Sequence, residues 1–176
     1  NLVNTIFGMY DVISFKREEK FLAITSIMFD VSMLDYFLPL AFGWQVIIAS
    51  NEEYKNPRSI IELLDKSDIT CLQATPSMWQ LLLNFGAKKH QDNFKIFSVG
   101  EPLSAKLALK LQKIGKIYNL YGPTENAVYS TLSKVKNFHE ITIGKTLPNI
   151  YSFVIDNNHN ILSPYIVGEL CLSGNS

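Results

Sequence analysis

Apolar and polar positions alternate along the chain in two kinds of block. Five short runs are rich in apolar residues: 21–28 (FLAITSIM), 44–50 (WQVIIAS), 69–74 (ITCLQA), 93–100 (NFKIFSVG) and 116–122 (KIYNLYG). Their length and β-branched, aromatic content predict buried strands. Between them lie amphipathic blocks. A helix is expected over 32–42, with Ser32 at its N-cap and Gly43 at its stop. Another is expected near 58–66, after a polar loop NEEYKNP. Thr75-Pro76 opens a third, with a hydroxyl at the cap and proline at the first helical position. A fourth covers 104–114, where Leu107, Leu111 and Ile114 share one face. Strands alternating with helices predict an α/β fold whose parallel sheet is covered on both faces. Beyond about residue 140 the pattern becomes ITIGKTL, YSFVIDN and VGELCLS, with DNNHN as a turn. A β-rich layer is expected to begin there, dividing the chain into a sheet region, 1–138, and the start of a β-rich region, 139–176.

Composition narrows the partners. Hydrophobic residues are 47% and charged residues 18% of the 176, enough apolar material for a core and too little charge for disorder. Sixteen basic residues balance sixteen acidic ones, so no charge excess favours nucleic acid or an anionic membrane. No apolar stretch reaches transmembrane length, and the N-terminus lacks a signal-peptide pattern. Cys71 and Cys171 sit in strand-like runs and read as two buried thiols in a reducing, cytoplasmic compartment. His90, His139 and His159 are scattered among polar residues and read as surface histidines, with no metal-ligand spacing around them.

Ligands of open parallel sheets gather at the carboxyl ends of the strands. The segments just past those ends are 29–32, 73–76, 99–101 and 119–125, which carry acids, hydroxyls, amides, glycines and Tyr121. In 121–126 (YGPTEN), Gly-Pro is ordinary turn punctuation. The same stretch also suits a nucleotide. Tyr121 offers a ring for a purine, Thr124 a hydroxyl for a phosphate oxygen, and Glu125 a carboxylate for Mg²⁺.

NLYGPTEN over 119–126 resembles the signature of the adenylate-forming, AMP-binding enzymes. FDVS at 29–32 is similar to the Phe-Asp-x-Ser segment of that superfamily, and GELCLSG at 168–174 to its Gly-Glu-Leu segment. SVGEPL at 98–103 is similar to the intervening glycine-acid turn, with Val99 where a first glycine is common. The four matches run in the same order as in the family. The resemblance implies part of the large N-terminal subdomain. It implies that Tyr121 stacks on adenine, Asn119 reads its amino edge, and the Gly100-Glu101 turn and Gly122 lie beside the nucleotide. Thr124 would contact phosphate and Glu125 would hold Mg²⁺, both at the reacting centre.

Asp30 points to the amino-acid adenylation domains of nonribosomal peptide synthetases, where the acid of this segment pairs with the substrate's α-ammonium. A carboxylate in a partly dry pocket is a strong partner for that group. On the residues alone, Asp30 could equally be a helix-terminal charge complementing the dipole. The resemblance further implies a side-chain pocket made by Asp30, Val31, Leu34, Gln73, Phe97, Val99, Leu120, Val128 and Tyr129. That lining is mostly apolar without a second charge, so a neutral, medium-sized, largely apolar amino acid is expected. Gln73 is expected to be available to a polar substrate group. The implied reaction is attack of the substrate carboxylate on the α-phosphate of ATP, with transfer of the aminoacyl group to phosphopantetheine on a carrier domain. Peptidyl carrier and condensation domains are the implied partners.

The family's phosphate loop, its ribose-binding aspartate and its C-terminal subdomain with a catalytic lysine have no match here. An internal fragment, inactive and unstable alone, is therefore expected. Rival readings are an acyl- or aryl-CoA ligase, which Asp30 disfavours, and a non-catalytic nucleotide-binding or interaction module, which intact Thr124 and Glu125 disfavour. An α/β hydrolase fails for want of a Gly-x-Ser-x-Gly elbow.

Overall fold

The computed structural model describes residues 1–88, 91–126 and 128–174; His90 lies outside the described residues. Helix α1 (Leu2–Val12) precedes β1 (Lys20–Ala23), α2 (Ser32–Ala41), β2 (Gln45–Ile48), α3 (Asn51–Lys55), α4 (Pro57–Lys66), β3 (Cys71–Ala74) and α5 (Pro76–Asn84). Then come β4 (Lys95–Ser98), α6 (Ala105–Leu111), β5 (Lys116–Tyr121), a 3₁₀ turn (Thr124–Asn126), β6 (Thr131–Lys134), β7 (Lys145–Thr146), β8 (Ile150–Ile155) and β9 (Glu169–Gly174).

The first seven strands form one sheet in the order β2-β1-β3-β4-β5-β6-β7. Pairing is parallel from β2 to β5 and antiparallel from β5 to β7. Each face carries its own core. Phe21, Leu34, Phe97, Tyr118 and Leu120 pack on one side. Leu22, Leu72, Trp79, Ile96 and Leu107 pack on the other. Residues 71–74 and 95–98 are buried at every position, as strands covered on both faces must be. The α/β expectation therefore holds.

Several local expectations are corrected. The 21–28 run is strand only to Ala23. After that the chain leaves the sheet: Thr25 N–H turns to Asp35, and Phe29 N–H closes a turn on the Ser26 carbonyl. Ser32 does not cap α2; the helix makes no side-chain cap bond, and the Ser32 hydroxyl is buried without a partner. NEEYKNP is no simple loop. Ser50 Oγ accepts from Glu53 N–H while Glu53 accepts from Ser50 N–H, and this reciprocal cap supports α3. The chain also forms two elements that the pattern did not predict, α1 and β6. The ITIGKTL run joins the first sheet through Lys145–Thr146, so the separate β8–β9 hairpin begins only at Ile150. Cys71 is buried but Cys171 is half-buried; both are free thiols. His139 and His159 are exposed.

Candidate functional site

The carboxyl ends of β1, β3 and β4 lie side by side, and a cavity of about 390 Å³ opens over them. It crosses the sheet edge. On one side it meets the start of α2, with Asp30 and Val31; on the other it meets Tyr54 of α3 and Met78 of α5. Gln73, Val99 and Gly100 complete the wall between them. The strand ends reach this edge in register, with Gln73 opposite Phe97 and Ala74 opposite Ser98. Thr75 leaves β3 and caps α5, accepting from Met78 N–H at 3.2 Å. Gly100 turns with φ of 75°, a conformation glycine adopts without strain.

Asp30 stands at the rim. Its Oδ1 accepts from Val31 N–H at 2.8 Å, and no cationic side chain pairs with it among the described ion pairs. Of the nine expected pocket residues, Asp30, Val31, Gln73 and Val99 line the cavity. Leu34, Phe97, Leu120, Val128 and Tyr129 lie directly behind them, between 0% and 6% exposed, within the core on that face. Gln73 differs from expectation: its amide is fully engaged within the protein. Nε2 donates to the Val31 carbonyl at 2.9 Å and lies 3.5 Å from Thr25 Oγ1, while Oε1 accepts from Tyr129 Oη at 2.7 Å.

The nucleotide candidates sit one strand further along the same edge, where Asn119 pairs in register with Ser98. Tyr121 ends β5 and is 39% exposed, leaving its ring accessible. Thr124 and Glu125 are exposed on the 3₁₀ turn. Asn119 is buried and donates through Nδ2 to the Thr142 carbonyl at 2.9 Å. Glu101 reaches back to α5, accepting from Ser77 N–H at 3.0 Å and Ser77 Oγ at 2.6 Å. Gly122 is required by close approach: a Cβ there would stand 2.4 Å from the Val128 carbonyl oxygen. Val128 itself has φ of 70°, a strained conformation for a β-branched residue.

No group of three or more His, Cys, Asp or Glu side chains among the described residues could hold a metal. A lone exposed Glu125 beside a threonine hydroxyl does fit Mg²⁺, which takes one or two carboxylates and completes its shell with water and phosphate oxygens. This donor set suits a metal that arrives with a nucleotide.

The sequence passed over Thr25, Tyr54, Met78 and Asp35. Asp35 is 1% exposed, its Oδ2 accepts from Thr25 N–H at 3.3 Å, and Oδ1 is buried without a partner. Burial pushes its pKa from 3.8 up to about 7, with Thr25 hydrogen bonds opposing the rise. Helical spacing exposes the signal: Asp35 follows Leu34 and precedes Leu38 by three, on the buried stripe of α2.

The profile described as "AMP-binding enzyme" matches residues 1–176. The chain belongs to this family. It is 32% identical over 177 residues to a dimodular nonribosomal peptide synthase of Bacillus subtilis (strain 168), covering 99% of the chain and 7% of that protein. Among solved structures it superposes with TM-score 0.93 and 32% identity on a holo four-domain nonribosomal peptide synthetase bound to AMP and glycine. That match covers 98% of the chain and 13% of the larger one. The N-terminal subdomain of Klebsiella oxytoca NpsA shares the fold at TM-score 0.78 and 19% identity, over 93% of the chain and 42% of its own. The chain thus spans 7% and 13% of the length of the two synthetases and 42% of the NpsA subdomain.

Proposed function

We propose that this AMP-binding chain is the substrate-selecting part of an amino-acid adenylation domain in a nonribosomal peptide synthetase. The observation that carries the reading is Asp30. A carboxylate without a cationic partner among the described residues stands on the wall of a cavity, one strand away from the exposed Tyr121, Thr124 and Glu125.

In this reading Asp30 accepts the α-ammonium and turns the amino acid's carboxylate toward the nucleotide. Val31, Gln73 and Val99 bound the substrate side chain, backed by Leu34, Phe97, Leu120, Val128 and Tyr129. Tyr121 stacks on adenine beside Asn119 and the Gly100-Glu101 turn, with Gly122 close by. Thr124 holds a phosphate oxygen. Mg²⁺ on Glu125 would neutralise charge on the phosphates. The carboxylate then attacks the α-phosphorus, the bond to the pyrophosphate oxygen breaks, and an aminoacyl-adenylate remains. Positioning and charge neutralisation supply most of the catalysis in such a step. Transfer to a phosphopantetheine thiol on a peptidyl carrier domain follows, beside condensation domains, in the cytoplasm. The glycine held by the solved synthetase relative supports an amino acid as the activated acid, and the apolar lining favours a neutral one.

Amino-acid-dependent ATP–pyrophosphate exchange by the complete protein tests the reading, with amino acids set against acids lacking an amino group. Exchange with neutral amino acids is expected, and Asp30→Ala should lower it by about a hundredfold or more. Exchange only with amine-free acids would move the chain to the acyl- or aryl-CoA ligases, and no exchange would favour a non-catalytic module.

A further inference from the structure

Behind the cavity wall, four elements are joined by a directed run of hydrogen bonds. Tyr129, just before β6, donates to Gln73 on β3. Gln73 Nε2 lies 3.5 Å from Thr25 Oγ1 at the exit of β1. Thr25 in turn gives its backbone N–H to Asp35 Oδ2 on α2. Gln73 Nε2 also fixes the Val31 carbonyl, next to Asp30. One branch of this run ends on the Val31 carbonyl, and the other, through Thr25, ends on the Asp35 carboxyl as its terminal acceptor.

The position of Asp35 is costly in other respects. The residue is almost wholly buried, one oxygen has no partner, and Ser32 one turn earlier also buries an unpartnered hydroxyl. A leucine would suit this apolar stripe better unless the carboxyl acts on something. Thr25 and Gln73 both line the cavity, and both are held from behind by this one run of bonds.

We propose that Asp35 is a positioning residue of the amino-acid site, anchoring through Thr25 and Gln73 the wall on which Val31 and Asp30 stand. The inference rests on the reading of the cavity as an amino-acid site. An ionised Asp35 strengthens the bond from Thr25, because charged acceptors hold their donors more tightly than neutral ones. Its negative charge, five residues from Asp30 on the same helix start, also favours a nearby ammonium. A protonated Asp35 loosens the run. Binding of the amino acid should therefore tighten as pH rises through the ionisation of Asp35.

The titratable groups facing Asp35 are few. Tyr129 and Asp30 share its surroundings, as the upward push of both acids on the Tyr129 hydroxyl shows. Helix α1 brings Tyr10 and Asp11, both exposed; β1 brings Lys20 at its opposite end; β2 carries no titratable side chain.

The test measures KM for the amino acid and kcat of exchange in the complete protein, at saturating ATP, on both sides of neutrality. Wild type should show KM falling as pH rises. Asp35→Asn keeps an acceptor for Thr25 but cannot ionise, so its KM should be flat and should match the low-pH wild-type value. Asp35→Ala removes the acceptor and should raise KM about tenfold or more with a smaller change in kcat, the signature of a displaced binding wall. Asp35→Asn with the wild-type pH dependence of KM would overturn the proposal, as would Asp35→Ala with wild-type KM. If Asp35→Ala fails to fold, the Asp35→Asn profile decides alone. Absence of amino-acid-dependent exchange in wild type would instead sink the amino-acid reading itself.

Discussion

The Tyr129 hydroxyl donates a 2.7 Å hydrogen bond to Gln73 Oε1, tying the approach to β6 onto the end of β3 across 56 positions of sequence. Both residues are 1% exposed. Tyr129→Phe leaves a buried acceptor without its donor, and should cost about 1–3 kcal/mol. Urea denaturation of the complete protein measures it. Burial holds the hydroxyl pKa well above its ordinary value, so the bond should persist in mildly alkaline solution.

Asp35 makes a prediction about stability that is separate from binding. Its pKa rises from 3.8 in the open chain to about 7 in the fold. Between those values the folded state keeps a proton that the unfolded state has released. The proton's contribution is fully present below 3.8 and is lost as pH rises toward about 7. Stability from this group should decline across that window and level off above it. Thermal unfolding of wild type and Asp35→Asn over the same window should show the decline in wild type and a weaker one in the variant.

Glu125 and Thr124 are exposed, so their substitution should leave the fold intact. Glu125→Gln should lower exchange by about a hundredfold with little change in melting temperature. Raising the Mg²⁺ concentration should recover part of the loss, since the phosphates still offer the metal oxygens. Loss without recovery would remove the metal from the role of Glu125.

At the opposite edge of the sheet, Lys95 Nζ meets Glu19 Oε1 at 2.5 Å, with both side chains at 1% exposure or less. Cys71 lies beside them, its thiol pushed well up by burial. Lys95→Met alone leaves a buried carboxylate and should cost about 3–5 kcal/mol. Replacing both partners with apolar residues should cost much less. Denaturation of the single and double variants measures the difference.

The main sheet was legible because its strands are buried on both faces, as in 71–74 and 95–98, and so read as short runs rich in apolar residues with few polar interruptions. Helix α5 was legible because Thr75-Pro76 states its start chemically. Strand β6 was not, because TLSK mixes burial and exposure over only four residues and its pairing depends on the distant β5 and β7. The site divides in the same way. Asp30 and the 119–125 segment stand out by residue type, being polar groups at strand ends. The engagement of Gln73 with Tyr129, and of Thr25 with Asp35, depends on distances between elements that no local pattern encodes. Tyr54 falls in the run read as a polar loop and Met78 in the helix opened by Thr75-Pro76, and only the gap over the sheet edge reveals them as lining.

The excursion between β5 and β6 is drawn tight at Gly122, whose missing Cβ lets the chain return against Val128 and Tyr129. Its tip carries Tyr121, Thr124 and Glu125, and its return carries Val128 and Tyr129. On the proposed reading, one closed hairpin therefore serves two ligands, the nucleotide from its outer curve and the amino acid from its inner leg. Engineering of the two selectivities is then coupled. A cassette exchanged between relatives to change the amino acid would have to enter before Phe29 and leave after Tyr129, carrying the adenine contacts with it. Changes confined to the return leg should register as altered ATP usage as well as altered amino-acid choice.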